Sequence, residues 1–150
     1  MKNFLASIST VNTGKETMIS KPTVISGIVG AGFSANFHYE GIKRVYSVNP
    51  DVRGVFALDQ DQAAAFAAKR GITHFSSLDA LIDAVDLVHC CVLVSGHEEV
   101  AVAALKKGKS VIIEKPLTGY LGDGSSSFHG DTFPKSDALA YGVASVERIL

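Results

Sequence analysis

Three stretches of this sequence carry residue types whose order could do chemistry. The first runs from Ile25 to Ala35 and ends in Gly30-Ala31-Gly32-Phe33-Ser34-Ala35, a G-x-G-x-x-A pattern. Such spacing allows a tight turn at Gly30, leaves bare backbone at Gly32 for a pyrophosphate to approach, and lets the small Ala35 pack a helix closely on a strand. The N–H groups at the helix start, from Phe33 and Ser34 onward, would then face phosphate charge. Glycines also make tight turns in sheets that bind nothing, and methyltransferases use a similar loop for S-adenosylmethionine. The pattern therefore means dinucleotide binding only where a strand precedes it and a helix follows.

The second is Asp59, twenty-four residues after Ala35. A dinucleotide fold places an acid there, at the end of its second strand, to accept hydrogen bonds from the adenine ribose. The carboxylate would repel a 2'-phosphate and the neighbouring Gln60 offers no cation to neutralise one, which favours NAD over NADP as the cofactor. The competing reading is that Asp59 caps the helix that follows. The third stretch is Val111-Ile112-Ile113-Glu114-Lys115-Pro116, an apolar run ending in an acid-base pair and a proline. Ligands of open parallel sheets bind beyond the carboxyl ends of the strands, and a lysine at that edge can polarise a hydroxyl or carbonyl, or relay its proton. By chemistry alone, Lys115 could equally be an ordinary surface lysine.

Positioning these groups falls to an alternation of short apolar runs and segments of helical periodicity that starts at Thr23. Strands are expected at Thr23 to Val29, Val52 to Leu58, Thr73 to Phe75, Asp86 to Val92 and Ser110 to Ile113. Helices are expected at Ser34 to Ser47, Gln60 to Lys69, Leu78 to Ala84, Glu98 to Lys107 and from Asp137 to the end. Gly71 and Gly108 follow basic last turns, as helix C-caps and dipole complementarity require. Strict alternation implies a parallel sheet with helices on both faces. The fold class is α/β, a doubly wound parallel sheet (Rossmann fold) forming a single domain, with expected strand order 3-2-1-4-5. From Gly119 to Pro134 the periodicity stops, and Tyr120, Phe128 and Phe133 stand among Gly, Ser and Asp. The expected organisation is a loose tail over residues 1–22, the nucleotide-binding unit over 23–118, a loop over 119–136 and a helix over 137–150.

Composition narrows the partners. A net charge of -1 without a dense basic run excludes an electrostatic footprint for nucleic acid or anionic lipid. No segment approaches the roughly 20 apolar residues of a membrane span, and the short patch Phe4-Leu5-Ala6 is too brief for a secretory signal. Met18 could equally be the start codon. The two cysteines, Cys90 and Cys91, are adjacent and would point to opposite faces of a strand, so they read as buried reduced thiols in a cytoplasmic protein. The histidines His38, His74, His89, His97 and His129 have no metal-ligand spacing among them, and no metal site is expected.

Taken together, the glycine loop, Asp59, the stretch from Phe75 to Asp79 and above all Glu114-Lys115-Pro116 resemble the Gfo/Idh/MocA oxidoreductases, the glucose-fructose oxidoreductase and inositol dehydrogenase family. The resemblance runs from about Thr23 to Thr118. It implies an NAD-dependent dehydrogenase of a sugar, inositol or related polyol, with Lys115 assisting hydride transfer. His97 matches a family histidine near the nicotinamide end, although the usual Thr-Pro-Asn ahead of it reads Val92-Leu93-Val94 here. His38 matches a frequent histidine of the first helix and is expected to be structural. The expected cofactor site comprises Gly30, Gly32, Phe33, Ser34, Ala35, Asp59, Gln60, His97 and Glu114. The resemblance also implies a second, open-sheet substrate domain and an oligomer interface that this chain lacks. On that expectation the chain is a fragment that binds cofactor, and a non-catalytic NAD-binding module is the alternative reading. S-adenosylmethionine transfer remains a third, in which Glu-Lys-Pro has no role.

Overall fold

In the computed structural model residues 20–122 and 125–150 are described. The expected tail, with Phe4-Leu5-Ala6 and Met18, lies outside the described residues up to position 19.

The β-branched run Thr23–Val29 forms β1, whose last four residues are buried. Helix α1, Phe33–Ile42, follows the glycine loop. It stops short of the expected Ser47 because Arg44 and Val45 donate to Gly41 and Ile42 in tight turns. Pro50 then disfavours helical backbone at Asn49, so β2 begins early, at Asn49–Phe56. Helix α2, Gln60–Arg70, is closed by Gly71 in the left-handed region at φ 65° behind the basic pair Lys69 and Arg70. A two-residue β3, Thr73–His74, leads to α3, Leu78–Asp83, capped by Ser77. Next come β4, Leu87–Cys90, a single 3-10 turn over Val94–Gly96, α4 over His97–Lys106, and β5 over Ser110–Ile113. The last element, α5, spans Lys135–Ile149, two residues longer at its start than the pattern implies.

All strand pairs are parallel, in the order β3-β2-β1-β4-β5. This is the expected doubly wound order, with its reversal between β1 and β4. Alternation along the strands sends side chains to two cores. Ile28, Val55 and Cys91 join Ala35, Ile42, Ala63 and Phe66 under α1 and α2. Val29, Val88 and Cys90 join Leu81, Ile82, Val100 and Ala104 under α3 and α4. The adjacent cysteines thus face opposite ways, free and buried, as strand geometry requires. Burial pushes the Cys90 thiol up to about 11 and the Cys91 thiol up to about 12, the latter with help from the charges of Cys90 and Glu114.

Between β5 and α5 the described residues form no helix or strand. The aromatics of this loop nevertheless collect. Tyr120 stacks on Tyr141 of α5 with ring centroids 4.4 Å apart and meets Phe133 at 4.5 Å and Phe128 at 5.5 Å. Arg148 closes the other end of α5 through a two-pronged ion pair with Glu98 of α4, one prong measuring 2.9 Å. That contact holds the Glu98 carboxyl down to about 2.

Candidate cofactor and active site

Gly30 sits at φ 104°, and a Cβ there would stand 2.6 Å from the Cys91 carbonyl oxygen. The glycine is therefore demanded by the fold itself, because β1 turns hard against the end of β4. Gly32 differs: its φ of -86° suits any residue, and a Cβ would meet nothing within 4 Å. Its bareness faces open space. No side chain caps the N terminus of α1, so the first N–H groups of Phe33, Ser34 and Ala35 remain for an incoming anion. Asn36 steadies this turn by donating to the Gly32 carbonyl at 2.7 Å, and Arg70 of α2 holds Asn36 in turn. Bare backbone, uncapped N–H groups and space where a side chain would be are what a dinucleotide pyrophosphate needs, and these residues fit it.

On one side of the turn lies a hollow of about 380 Å³ between the ends of β1, β2 and β4, walled by Val29, Ala57, Asp59, Val92 and Gly96. Leu58 and Leu93 stand at its mouth 93% and 82% exposed, large apolar side chains left in water beside a cavity. Asp59 caps α2, accepting from the Gln62 N–H at 2.9 Å through Oδ1. Its side chain also lines the hollow. Gln60 does not reach it: the amide donates to the Ala57 carbonyl and faces His74 Nε2 at 3.0 Å, tying β3 to the end of β2.

On the other side a second hollow, about 390 Å³, is lined by Phe33, Ser34, Phe37, His97, Glu114 and Lys115. The two hollows share Val92 and Leu93 as a common wall, with Asp59 lining the first and Phe33, Ser34 and Lys115 the second. Lys115 is exposed at its far end, and the Lys115–Pro116 peptide is cis. His97 lines this hollow but is 1% exposed, and its ring is spoken for. Nδ1 faces the carbonyl oxygens of Pro116 and Leu117 at 3.1 and 3.2 Å, and Nε2 faces that of Val92 at 3.3 Å. The ring thereby links the segment after β4 to the Glu-Lys-Pro turn after β5.

Glu114 accepts from His38 Nε2 at 2.9 Å and from the backbone N–H of Lys115, and the His38 contact foremost holds its carboxyl below the usual range. Behind His38, His89 of β4 is buried, with the two Nδ1 atoms 2.9 Å apart. This trio escaped sequence reasoning, because its members lie 51 and 76 residues apart and follow no ligand motif. Among the described residues no three His, Cys, Asp or Glu gather to hold a metal ion, and no helix is long and apolar enough to cross a membrane.

Known proteins share this fold. Residues 24–129 match the oxidoreductase family with an NAD-binding Rossmann fold, Gfo/Idh/MocA. Inositol 2-dehydrogenase of Leifsonia xyli is 39% identical over 103 residues, 67% of this chain and 30% of the relative. The structure of UDP-N-acetylglucosamine 3-dehydrogenase from Acidithiobacillus ferrooxidans superposes with a TM-score of 0.59 at 32% identity, over 64% of this chain and 29% of that one. Biliverdin reductase from Synechocystis, in complex with biliverdin and NADP+, gives 0.58 at 31%, over 63% and 30%. Each match spans under a third of the relative's own length. By the residues matched, the hollows they line and the sheet order beneath them, this chain belongs to the Gfo/Idh/MocA oxidoreductase family and carries its NAD-binding Rossmann fold.

Proposed function

We propose that the chain is the cofactor-binding unit of an NAD-dependent dehydrogenase acting on a secondary alcohol of a sugar, inositol or related polyol. The observation that carries this reading is the pair of adjoining hollows that hold Asp59 on one side and the start of α1 with Lys115 on the other. Gly30, Gly32 and the N–H groups of Phe33, Ser34 and Ala35 take the pyrophosphate, and Asp59 takes the adenine ribose. Its free oxygen accepts from the ribose hydroxyls and repels a 2'-phosphate, so NADH is preferred to NADPH. NAD, when bound, supplies the hydride acceptor. Lys115 orients the substrate hydroxyl and helps take its proton. Leu58 and Leu93 flank the adenine. His97, with both nitrogens on carbonyls, supports the Lys115 turn from below. Free, buried thiols accord with work in the cytoplasm.

Hydride transfer also needs the reacting carbon held ~3–3.5 Å from the nicotinamide, a positioning contribution worth roughly 7–11 kcal/mol. Among the described residues the walls beside Lys115 are those of the cofactor hollow itself, Phe33, Ser34, Phe37, His97 and Glu114. The 150-residue polypeptide is therefore expected to bind NADH and to oxidise none of a panel of inositols and sugars. Fluorescence titration with NADH and NADPH tests the binding, with Gly32→Val as the control. That change leaves the fold intact, since φ and space allow it, and fills the pyrophosphate's place. Unchanged NADH affinity in folded Gly32→Val would reduce the loop to a turn. Rapid NAD reduction by the chain would overturn the cofactor-binding-unit reading.

A further inference from the structure

We propose that His89 and His38 form a two-histidine strut of fixed hydrogen-bond polarity, His89 Nδ1–H to His38 Nδ1 and His38 Nε2–H to Glu114, that positions the Glu-Lys-Pro turn. The inference rests on the reading of Lys115 as the group that meets substrate.

The polarity follows from counting protons. Two Nδ1 atoms 2.9 Å apart must share one hydrogen. Glu114 is an acceptor on both sides, from the His38 ring and from the Lys115 backbone. His38 Nε2 must therefore carry a proton, a neutral His38 has a bare Nδ1, and the shared hydrogen belongs to His89. That leaves His89 Nε2 bare, and it is this atom that is buried without a hydrogen-bond partner among the described residues. The opposite tautomer of His89 would bury an orphaned N–H, which native structures avoid more strictly than an under-used acceptor. Burial, the largest cause, holds His89 down to about 4, so it stays neutral at its post.

Mechanically, the strut ties three elements. His89 is fixed in β4 between Ile28 of β1 and Ile112 of β5, His38 rises from α1, and Glu114 extends β5. The two rings meet edge to face, 5.2 Å between centroids at 85°, a geometry that restricts both. Glu114 then passes the constraint to Lys115 through its backbone N–H. Among the described residues His89 Nε2 has no onward partner, so the strut ends at this ring and positions Glu114 without relaying a proton further. Released from His38, the Glu114 carboxylate would be free to swing toward Lys115 and the phosphate end of the same hollow.

Two measurements on the whole chain test this. Long-range proton–nitrogen correlation spectra of histidine-labelled protein should show His89 as the Nδ1–H tautomer and His38 as the Nε2–H tautomer. His89 as Nε2–H overturns the strut whatever the cofactor does. In NADH titration, His38→Leu should weaken binding about tenfold, the scale of one hydrogen bond to a charged group. His38→Gln, whose amide can donate to Glu114, should recover most of that loss. Wild-type affinity in a folded His38→Leu protein, or equal loss in both variants, overturns the positioning role. Absence of NADH binding by the unaltered chain would instead strike the functional reading, while the tautomers still decide the strut.

Discussion

Acidification should reveal His89 as a stability sensor. The folded protein holds this ring at about 4 against an ordinary 6.5, chiefly because it is buried. It is 6% exposed, so little solvent screens the shift. Below pH 6.5 the unfolded chain takes up a proton that the fold refuses until about pH 4. Stability from this group is thus complete above 6.5 and lost as the pH falls toward 4. Each pKa unit is worth about 1.4 kcal/mol, so the full loss is about 3 kcal/mol, of which about 2 kcal/mol is gone by pH 5. Glu98 and Glu114 carry the same sign at lower pH: their lowered pKa values stabilise above the ordinary 4.5, and that contribution is lost as the pH falls below it. The window from pH 8 to pH 5 therefore separates His89 from these carboxylates. With a urea slope of about 2 kcal/mol per molar, the unfolding midpoint should fall by about 1 M across that window. His89→Val, an apolar β-branched residue in a central strand beside Ile28, should remove most of that fall. An equal fall in the variant, with unchanged slope, would refute the assignment of acid sensitivity to this ring.

Two further outcomes separate what the cofactor site needs from what the fold needs. Gly30→Ala must accept φ 104° and a Cβ 2.6 Å from the Cys91 oxygen, so urea unfolding should show a loss of at least about 2 kcal/mol, whereas Gly32→Ala should leave the midpoint nearly unchanged. Asp59→Asn keeps an N-cap acceptor but removes the charge, so the melting temperature should hold while the preference for NADH over NADPH shrinks. Asp59→Ala should lose both, with about 1 kcal/mol of stability, and an Asn variant with undiminished preference would take charge out of the explanation.

The strand order and the glycine loop were legible because both are written in local periodicity. Apolar runs alternate with helical spacing from Thr23 onward, and Gly71 marks its helix end through a backbone need that neighbours cannot change. Boundaries failed where a nonlocal or downstream cause intervened. Helix α1 ends at Ile42 in the tight turns of Arg44 and Val45, and β2 begins at Asn49 because Pro50 holds that residue extended. The aromatics of the long loop looked scattered because their partner, Tyr141, sits on a helix further along. The histidine strut was invisible for the same reason, since only the fold brings β4, α1 and the end of β5 together. Gln60 was assigned to the cofactor site by its place after Asp59, yet an amide that can reach both Ala57 and His74 is held there.

Asp59 shows a different kind of difficulty. Read from sequence, ribose acceptor and helix cap stood as alternatives, one functional and one structural. A carboxylate has two oxygens and about four lone-pair sites. The cap uses Oδ1 on the Gln62 N–H and leaves Oδ2 on a side chain that lines the hollow. Capping fixes the Asp59 rotamer, so on the proposed reading the structural contact prepares the binding one. The two roles are coupled through one torsion, and a substitution that preserves the cap is the means of telling charge from placement.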